Sequence, residues 1–131
     1  SSTEDMLKYM IAIVTKLQAK DVNVILSTPL AQPFYKAGEL KDRMGSYPEV
    51  VRRAALAKNV ALVNMEAITY EWLNTLDEEA AHVYYKNISP ESERKEYLLT
   101  KAGAEKICNL LVNNLKEQTI AGLAEHIRIL Y

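Results

Sequence analysis

Few residues in this chain are of the types that carry out covalent chemistry. An acyl-transfer serine needs an imidazole to accept its proton and a carboxylate to hold that imidazole in the correct tautomer. Ser27 is a candidate nucleophile because it ends a short apolar run, at the position where α/β sheets place their ligands. No Gly-x-Ser-x-Gly elbow surrounds Ser27, so a serine that merely ends a strand is the simpler interpretation.

The other chemically active side chains also have simpler structural interpretations. His82 and His126 are the two histidines of the chain, and two isolated histidines do not make a zinc site. Cys108 is the single cysteine, which excludes an internal disulfide and favours a buried apolar thiol. The acidic run Asp77, Glu78 and Glu79 favours the start of a helix. The sequence therefore predicts neither a metal nor a cofactor.

Composition narrows the class of protein. The chain has 131 residues, 49% of them hydrophobic, which is enough for one domain covering residues 1–131. The net charge of -1, from 16 basic and 17 acidic side chains, gives no excess positive field for nucleic acid. No apolar run approaches the ~18 residues of a membrane span. The polar, acidic N-terminus is unlike a signal peptide, so we expect a soluble chain and leave its compartment open.

Apolar periodicity and capping residues predict a helix-rich α/β chain. Ser2 with Asp5, Ser46 with Pro48 and Glu49, and Thr100 mark helix starts. The predicted helices cover about residues 3–19, 47–58, 66–76, 77–85, 100–116 and 120–130. The predicted strands are Val22–Ser27 and Val60–Asn64, both apolar throughout and therefore typical of strands covered on two faces. A long surface loop is expected over residues 30–46.

Two strands are too few for a stable parallel sheet. Such a pair would leave long unpaired backbone edges. The missing strands could come from another chain, from an N-terminal part outside this sequence, or from an extra strand within Val83–Ile88. We favour the N-terminal part.

Three segments in order resemble the SGNH (GDSL) hydrolase superfamily, within it the rhamnogalacturonan acetylesterase-like branch. They are VNVILSTPLAQ, GSYPEVVRRAALAKNVALVNMEAITYEWL and LLTKAGAEKICNLLVNNL. The resemblance implies a flavodoxin-like, three-layer α/β/α fold with a parallel sheet, and serine-dependent deacetylation of carbohydrates. It runs from Glu4 to about Leu115 but matches only the C-terminal half of the family fold, which makes 118–131 an extra terminal helix.

The resemblance does not extend to the catalytic residues. The Gly-Asp-Ser block and the two oxyanion-hole blocks of the family have no counterpart, and no Gly-Asp dipeptide occurs in the chain. The last block should read Asp-x-x-His-Leu before a Ser/Thr-x-x-Gly helix start. Aligning that start on Thr100 and Gly103 places Lys95 at the acid position and Leu98 at the base position. Leucine cannot transfer a proton, and a lysine would repel an imidazolium.

These departures predict an esterase-like chain with no catalytic residues of its own, inactive alone, with a structural or interaction role. The alternative is one part of an active carbohydrate acetylesterase, completed by an N-terminal half or a partner chain that pairs with the sheet edge. A homo-oligomeric assembly module is a third hypothesis. If the family's cleft is kept, Phe34, Tyr35 and Tyr47 could form a carbohydrate-stacking rim, although packing of the loop onto the domain is the favoured interpretation.

Overall fold

The computed structural model describes residues 2–89, 91, 95–120 and 123. The helices are α1 (Thr3–Gln18), α2 (Tyr47–Lys58), α3 (Met65–Leu73), α4 (Glu78–Ala81) and α5 (Lys101–Gln118). The strands are β1 (Ile25–Ser27), β2 (Tyr35–Lys36), β3 (Glu39–Leu40), β4 (Ala61–Val63), β5 (Tyr85–Asn87) and β6 (Tyr97–Leu99). The predicted order of helix, strand, helix, strand and helix is present as α1, β1, α2, β4 and α3, with two short hairpins in addition.

The described residues fall into two compact units. Unit 1 comprises the residues up to Pro29 together with Met44–Glu66, and unit 2 comprises Leu30–Arg43 together with the described residues from Ala67 onward. The assignment of 1–131 to one domain stays a prediction.

Unit 1 contains the parallel strand pair that the sequence predicts. Strands β1 and β4 pair in register from Ile25 opposite Ala61 to Ser27 opposite Val63. Helices α1 and α2 pack together. Buried side chains on these two helices and on β4 form the core of unit 1: Val14, Val50, Val51, Ala54, Ala55 and Val63. The α/β class is therefore confirmed.

The burial expected for β1 is wrong in part. Its apolar run predicted cover on both faces, yet Ile25 and Ser27 are exposed and Leu26 is only half-buried. Among the described residues, β1 and β4 pair only with each other. The apolar side chains of β1 suit burial, but the described elements of unit 1 do not bury them.

Helix boundaries in unit 1 follow local chemistry. The predicted capping box of α1 is confirmed, because the Asp5 amide donates to the Ser2 hydroxyl at 3.1 Å and the Ser2 amide donates to the Asp5 carboxylate at 3.4 Å. The cap predicted at Ser46 is wrong: its backbone is helical, its side chain accepts no cap hydrogen bond, and its hydroxyl lies 3.2 Å from the Thr3 hydroxyl. Asn59 ends α2 in the left-handed conformation, which asparagine tolerates better than most residues.

Unit 2 contains a short hairpin inside the segment expected to be a loop. Strands β2 and β3 pair antiparallel across Ala37 and Gly38, both at positive φ, as a tight two-residue turn requires. The single hydrogen of the Tyr35 hydroxyl is shared between the carbonyls of Leu73 and Leu76, each 3.2 Å from the hydroxyl oxygen. This bifurcated hydrogen bond ties the hairpin to the end of α3.

A second hairpin occupies the region where an extra strand was an open alternative. Strand β5 lies within Val83–Ile88, and it pairs antiparallel with β6, Tyr85 opposite Leu99. It therefore does not extend the parallel pair. Tyr85 is buried and donates from its hydroxyl to the Ala31 carbonyl at 3.3 Å, within an apolar cluster that includes Ala31, Leu40, Leu73 and Ala81.

The remaining helix predictions and the expected burial of Cys108 match the structure only in part. The helix predicted over 77–85 is shorter, because α4 ends at Ala81 and the chain turns into β5. Thr100 caps α5 as predicted, but Cys108 is exposed on that helix, so the expectation of a buried thiol is wrong. Most of the helix predicted over 120–130 lies outside the described residues. Within the described part of the chain, no helix is long and apolar enough to cross a membrane.

Candidate functional site

The start of α5 is capped by one hydrogen bond of its own and held to the turn that follows α4 by two more. The Thr100 hydroxyl accepts from the Gly103 amide at 3.1 Å and donates to the Val83 carbonyl at 2.7 Å. The Thr100 amide donates to the Tyr84 carbonyl at 3.0 Å. Gly103 is fully packed against that same carbonyl group, which leaves no space for a side chain. The Thr-x-x-Gly pattern therefore has a structural purpose that does not depend on catalysis.

The two residues that the sequence resemblance assigns to an acid and a base position, Lys95 and Leu98, lie on either side of the beginning of β6. Leu98 points outward and is 57% exposed, whereas its neighbours Tyr97 and Leu99 are half-buried. Lys95 is exposed and lines a cleft in unit 2. A hydrocarbon and an ammonium at these positions supply neither a proton acceptor nor a carboxylate to orient one.

The remaining candidate residues are used locally. The Ser27 hydroxyl donates to the Thr28 carbonyl at 2.9 Å, as expected of a serine that ends a strand. Asp77 caps α4 by accepting from the Ala80 amide at 2.7 Å, which confirms its helix-start interpretation. His82 ends α4 and is exposed, and His126 lies outside the described residues.

The cleft in unit 2 has a volume of about 370 Å³. Its walls come from the β2–β3 hairpin, the segment that follows it, the first turn of α4, and β6 with the residues before it. Aromatic and cationic side chains dominate the lining, which consists of Phe34, Tyr35, Lys36, Lys41, Arg43, Glu78, Lys95 and Tyr97.

Ring contacts fix the aromatic wall of this cleft. Phe34 meets Tyr97 edge to face, with ring centroids 5.7 Å apart, and Tyr97 meets Tyr85 in the same way at 6.4 Å. The Arg43 guanidinium lies 4.0 Å from the centre of the Phe34 ring, a cation–π contact. Partial burial raises the pKa of Tyr97; Glu78 raises it further, and Arg43 acts in the opposite direction. Both charges are thus close enough to act on the same phenol.

Of the rim aromatics suggested by the sequence, Phe34 and Tyr35 line the cleft and Tyr47 does not. Tyr47 begins α2 in unit 1. The favoured packing interpretation is confirmed for Tyr35, whose hydroxyl holds the hairpin to α3, and its ring is still part of the cleft wall.

Sequence reasoning missed the cationic part of the lining. Lys36, Lys41 and Arg43 looked like ordinary loop charges, and the signal that could have found them is their density beside Phe34 and Tyr35. Among the described residues, no group of three or more histidine, cysteine or acidic side chains is placed to hold a metal ion. The chemistry available at this cleft is charge and ring recognition.

The fold is similar to that of a solved structure. No family model and no curated protein matches the sequence. The X-ray crystal structure of protein YxiM from Bacillus subtilis matches with a TM-score of 0.74 and 22% sequence identity, over 93% of this chain and 33% of that chain. This chain thus spans about one third of the length of the solved chain it matches. At that identity the likeness concerns the fold alone.

Proposed function

We propose that this chain is an SGNH (GDSL) esterase-like module, of the carbohydrate O-acetylesterase type in sequence, that does not cleave esters by itself and serves a structural or interaction role. The finer part of this proposal is a flavodoxin-like, three-layer α/β/α arrangement of which the β1–β4 pair is one portion. The parallel register of that pair and the order of the elements support it.

One observation carries the proposal. The helix start with Thr100 and Gly103 is intact in every hydrogen bond, yet the base position just before it holds an outward-facing leucine. Lys95 at the acid position adds a second substitution of the wrong charge. The helix start that stabilises the fold is therefore present without the acid and base that would transfer protons, as expected when stability is kept and catalysis is lost.

Inactivity is tested by two measurements on the purified chain. Hydrolysis of p-nitrophenyl acetate should not exceed the background rate measured with the heat-denatured chain in the same buffer. A serine-directed fluorophosphonate should add no mass to the chain. Turnover that disappears when a single serine is changed, Ser27→Ala for example, would overturn the proposal.

The second candidate function is one part of an active carbohydrate acetylesterase, with the nucleophile and oxyanion hole supplied by another segment or chain. An observation in unit 1 favours it. Apolar side chains follow one face of α1, where Tyr9 is 70% and Ile13 is 60% exposed, and Leu17 continues the same face one turn later. The exposed side chains of β1 are a further surface suited to a covering element.

This second candidate requires a partner that carries the nucleophile and pairs at the β1–β4 edge, which a second copy of this chain cannot supply. The homo-oligomeric assembly module would use the same edge, and static light scattering separates the two: a dimer at micromolar concentration would support homo-oligomeric pairing. Hydrogen exchange gives the complementary readout. Slow exchange of the β1 amides in a dimer, and fast exchange in a monomer, would identify the edge as the interface. A monomer with slowly exchanging β1 amides would exclude the edge as a free pairing surface.

A further inference from the structure

Helix α1 carries an apolar stripe, Tyr9, Ile13 and Leu17, that the described part of the chain leaves exposed. These residues are four positions apart, so their side chains lie above one another on one side of the helix. Val14, on another side of α1, is fully buried in the core of unit 1. Helix α1 therefore has an inner apolar side that the core uses and an outer apolar side that the core does not use. A row of exposed large apolar side chains marks an interaction surface.

Charged residues flank the α1 stripe in a definite order. Asp5 lies in the first turn of α1, Lys16 lies in the last turn, and Lys20 follows one turn later. At about 3.6 residues per turn, Asp5 and Lys16 fall on the same flank of the stripe, and Lys20 continues that row. All three residues are exposed, and no carboxylate of the described residues lies within 4 Å of either lysine. The flank is thus acidic at the start of the helix and basic at its end.

This order of charges favours an antiparallel copy of the same helix as the occupant of the stripe. If two α1 helices pack antiparallel about a two-fold axis at Ile13, Tyr9 of one copy lies level with Leu17 of the other, because each is four residues from the axis. Asp5 lies eight residues before the axis and Lys20 seven residues after it, so the two are level to within one residue rise, about 1.5 Å. The same symmetry brings each flank onto its own copy, so Asp5 and Lys20 face each other.

A parallel pair of α1 helices lacks this match. It would bring the aspartates of both copies to one end of the pair and the lysines to the other, with no opposite charge at either level. Many apolar elements could cover the stripe, but the charges single out the antiparallel copy.

We propose that two copies of the chain pair through antiparallel α1 helices, with Ile13 at the two-fold axis. Tyr9 and Leu17 of opposite copies pack against each other on either side of the axis, and Asp5 of each copy pairs with Lys20 of the other. The α1 stripe is a different surface from the β1–β4 edge. The inference rests on the proposed interaction role and deepens it, because it names a second copy as the partner.

Failure of this inference and failure of the proposed function can be told apart. Ester turnover by the chain would overturn the proposed inactivity and leave the α1 dimer standing. A chain that stays monomeric would overturn the α1 dimer and leave the proposed inactivity standing.

The size of the stripe sets the expected affinity. From Tyr9 to Leu17 it spans about 12 Å along the helix. A contact between one helix and its copy buries less than the ~1,200 Å² at which stable interfaces begin, so the dimer should be weak. We expect a dissociation constant on the order of 10–100 μM.

Sedimentation velocity of the purified chain, from about 5 to 500 μM, measures this equilibrium through the rise of the sedimentation coefficient from monomer to dimer. Ile13→Lys places two ammonium groups at the axis and should weaken the dimer at least about tenfold. Because Ile13 is exposed, the variant should fold, which far-UV circular dichroism checks. Leu56→Lys is the matched control: Leu56 is exposed on α2, outside the α1 stripe, and its exchange should change the dissociation constant by less than about twofold.

Charge reversal tests the pairing of Asp5 with Lys20. Lys20→Glu should weaken the dimer by about threefold or more, because it replaces two exposed ion pairs with two like-charge contacts. The loss should shrink in about 0.5 M salt, where exposed charges are screened. Lys8→Glu is the charge-matched control, since Lys8 is exposed on a different side of α1.

Three results would each contradict the proposal. They are a monomer at the highest concentration, a dimer that Ile13→Lys weakens no more than Leu56→Lys does, and equal losses in Lys20→Glu and Lys8→Glu. The second result would place the interface on another surface, such as the β1–β4 edge.

Discussion

Replacement of Gly103 by alanine tests whether this glycine is needed for packing at the start of α5. Helix propensity and packing predict changes in stability of opposite sign. Gly103 lies in the first turn of α5, where alanine should be the better helix former by about 1 kcal/mol. Packing predicts the opposite sign. A Cβ on Gly103 would overlap the Tyr84 carbonyl oxygen, and it would lie 3.0 Å from the Tyr84 carbonyl carbon and 3.2 Å from a methyl of Leu99.

The size of the stability loss depends on which atoms must move to accommodate the alanine Cβ. The obstacle is backbone and not the end of a flexible side chain, so α5 must shift away from Tyr84. That shift strains the Thr100 amide bond to Tyr84 and the Thr100 hydroxyl bond to Val83, each worth roughly 0.5–1.5 kcal/mol net. Overpacking itself costs about 1–3 kcal/mol. After the helix-propensity gain of about 1 kcal/mol, these contributions give a net loss of roughly 1–5 kcal/mol.

The assay is urea unfolding of the wild type and Gly103→Ala, followed by far-UV circular dichroism. Against an ordinary stability of ~5–15 kcal/mol, a loss of this size lowers the midpoint clearly. Ala104→Gly is the matched control: Ala104 is exposed on the same turn, so the reverse exchange should cost only about 1 kcal/mol. A Gly103→Ala chain as stable as the wild type, or more stable, would refute the packing argument.

Three other predictions follow from the same contacts. Burial raises the pKa of Tyr85 from 10.0 to about 12. The neutral phenol therefore contributes roughly 2–3 kcal/mol to the free energy of unfolding below pH 10, and this contribution is lost as the pH rises through 12. The free energy of unfolding of Tyr85→Phe should depend less on pH between pH 10 and 12 than that of the wild type, and an identical dependence would contradict this. Thr100→Val removes the cap and the bond to Val83, and should cost about 1–3 kcal/mol in urea unfolding, whereas Thr100→Ser should recover most of it. Lys95→Asp combined with Leu98→His introduces the acid and base that the resemblance implies, and it should leave fluorophosphonate-sensitive hydrolysis of p-nitrophenyl acetate at background, because the chain has no Gly-Asp-Ser block. A fluorophosphonate-sensitive rate well above that of the wild type would show that a usable serine nucleophile is present.

Local signals in the sequence were sufficient for most helices. The capping box at Ser2 and the cap at Thr100 were predictable, because the partners of a cap stand three residues away in the chain. Ser46 shows the limit of that reasoning: the same pattern of residues occurs, but its hydroxyl lies beside Thr3, 43 residues away, and makes no cap. Nothing local could indicate that long-range partner.

The hairpins were harder to predict for a different reason. Each strand of β2–β3 has only two residues, which is too short for period-two alternation to appear. Ala37 takes the left-handed conformation that glycine or asparagine usually signals, so the turn lacked its usual first residue. For Cys108, the average burial of cysteines was a poor guide, because the residue falls outside the apolar face of α5.

The candidate site could likewise be predicted from the sequence only in part. The hypothesis that this chain lacks an acid and a base at positions 95 and 98 depends only on the residues found there, and it stays a prediction. The cleft could not be predicted, because Lys36 and Lys95 line it from segments 59 positions apart in the chain. The residues present decide whether proton transfer is possible, whereas the tertiary structure decides which side chains line a binding cleft.

We propose that this chain has the framework of an ester-cleaving fold without its proton-transfer groups. The most direct test of this proposal is the intact mass of the purified chain after incubation with an excess of a fluorophosphonate. The account predicts an unmodified mass in the same conditions that fully label an active serine esterase. A single stoichiometric adduct on one serine, accompanied by loss of acetate-ester turnover, would contradict it.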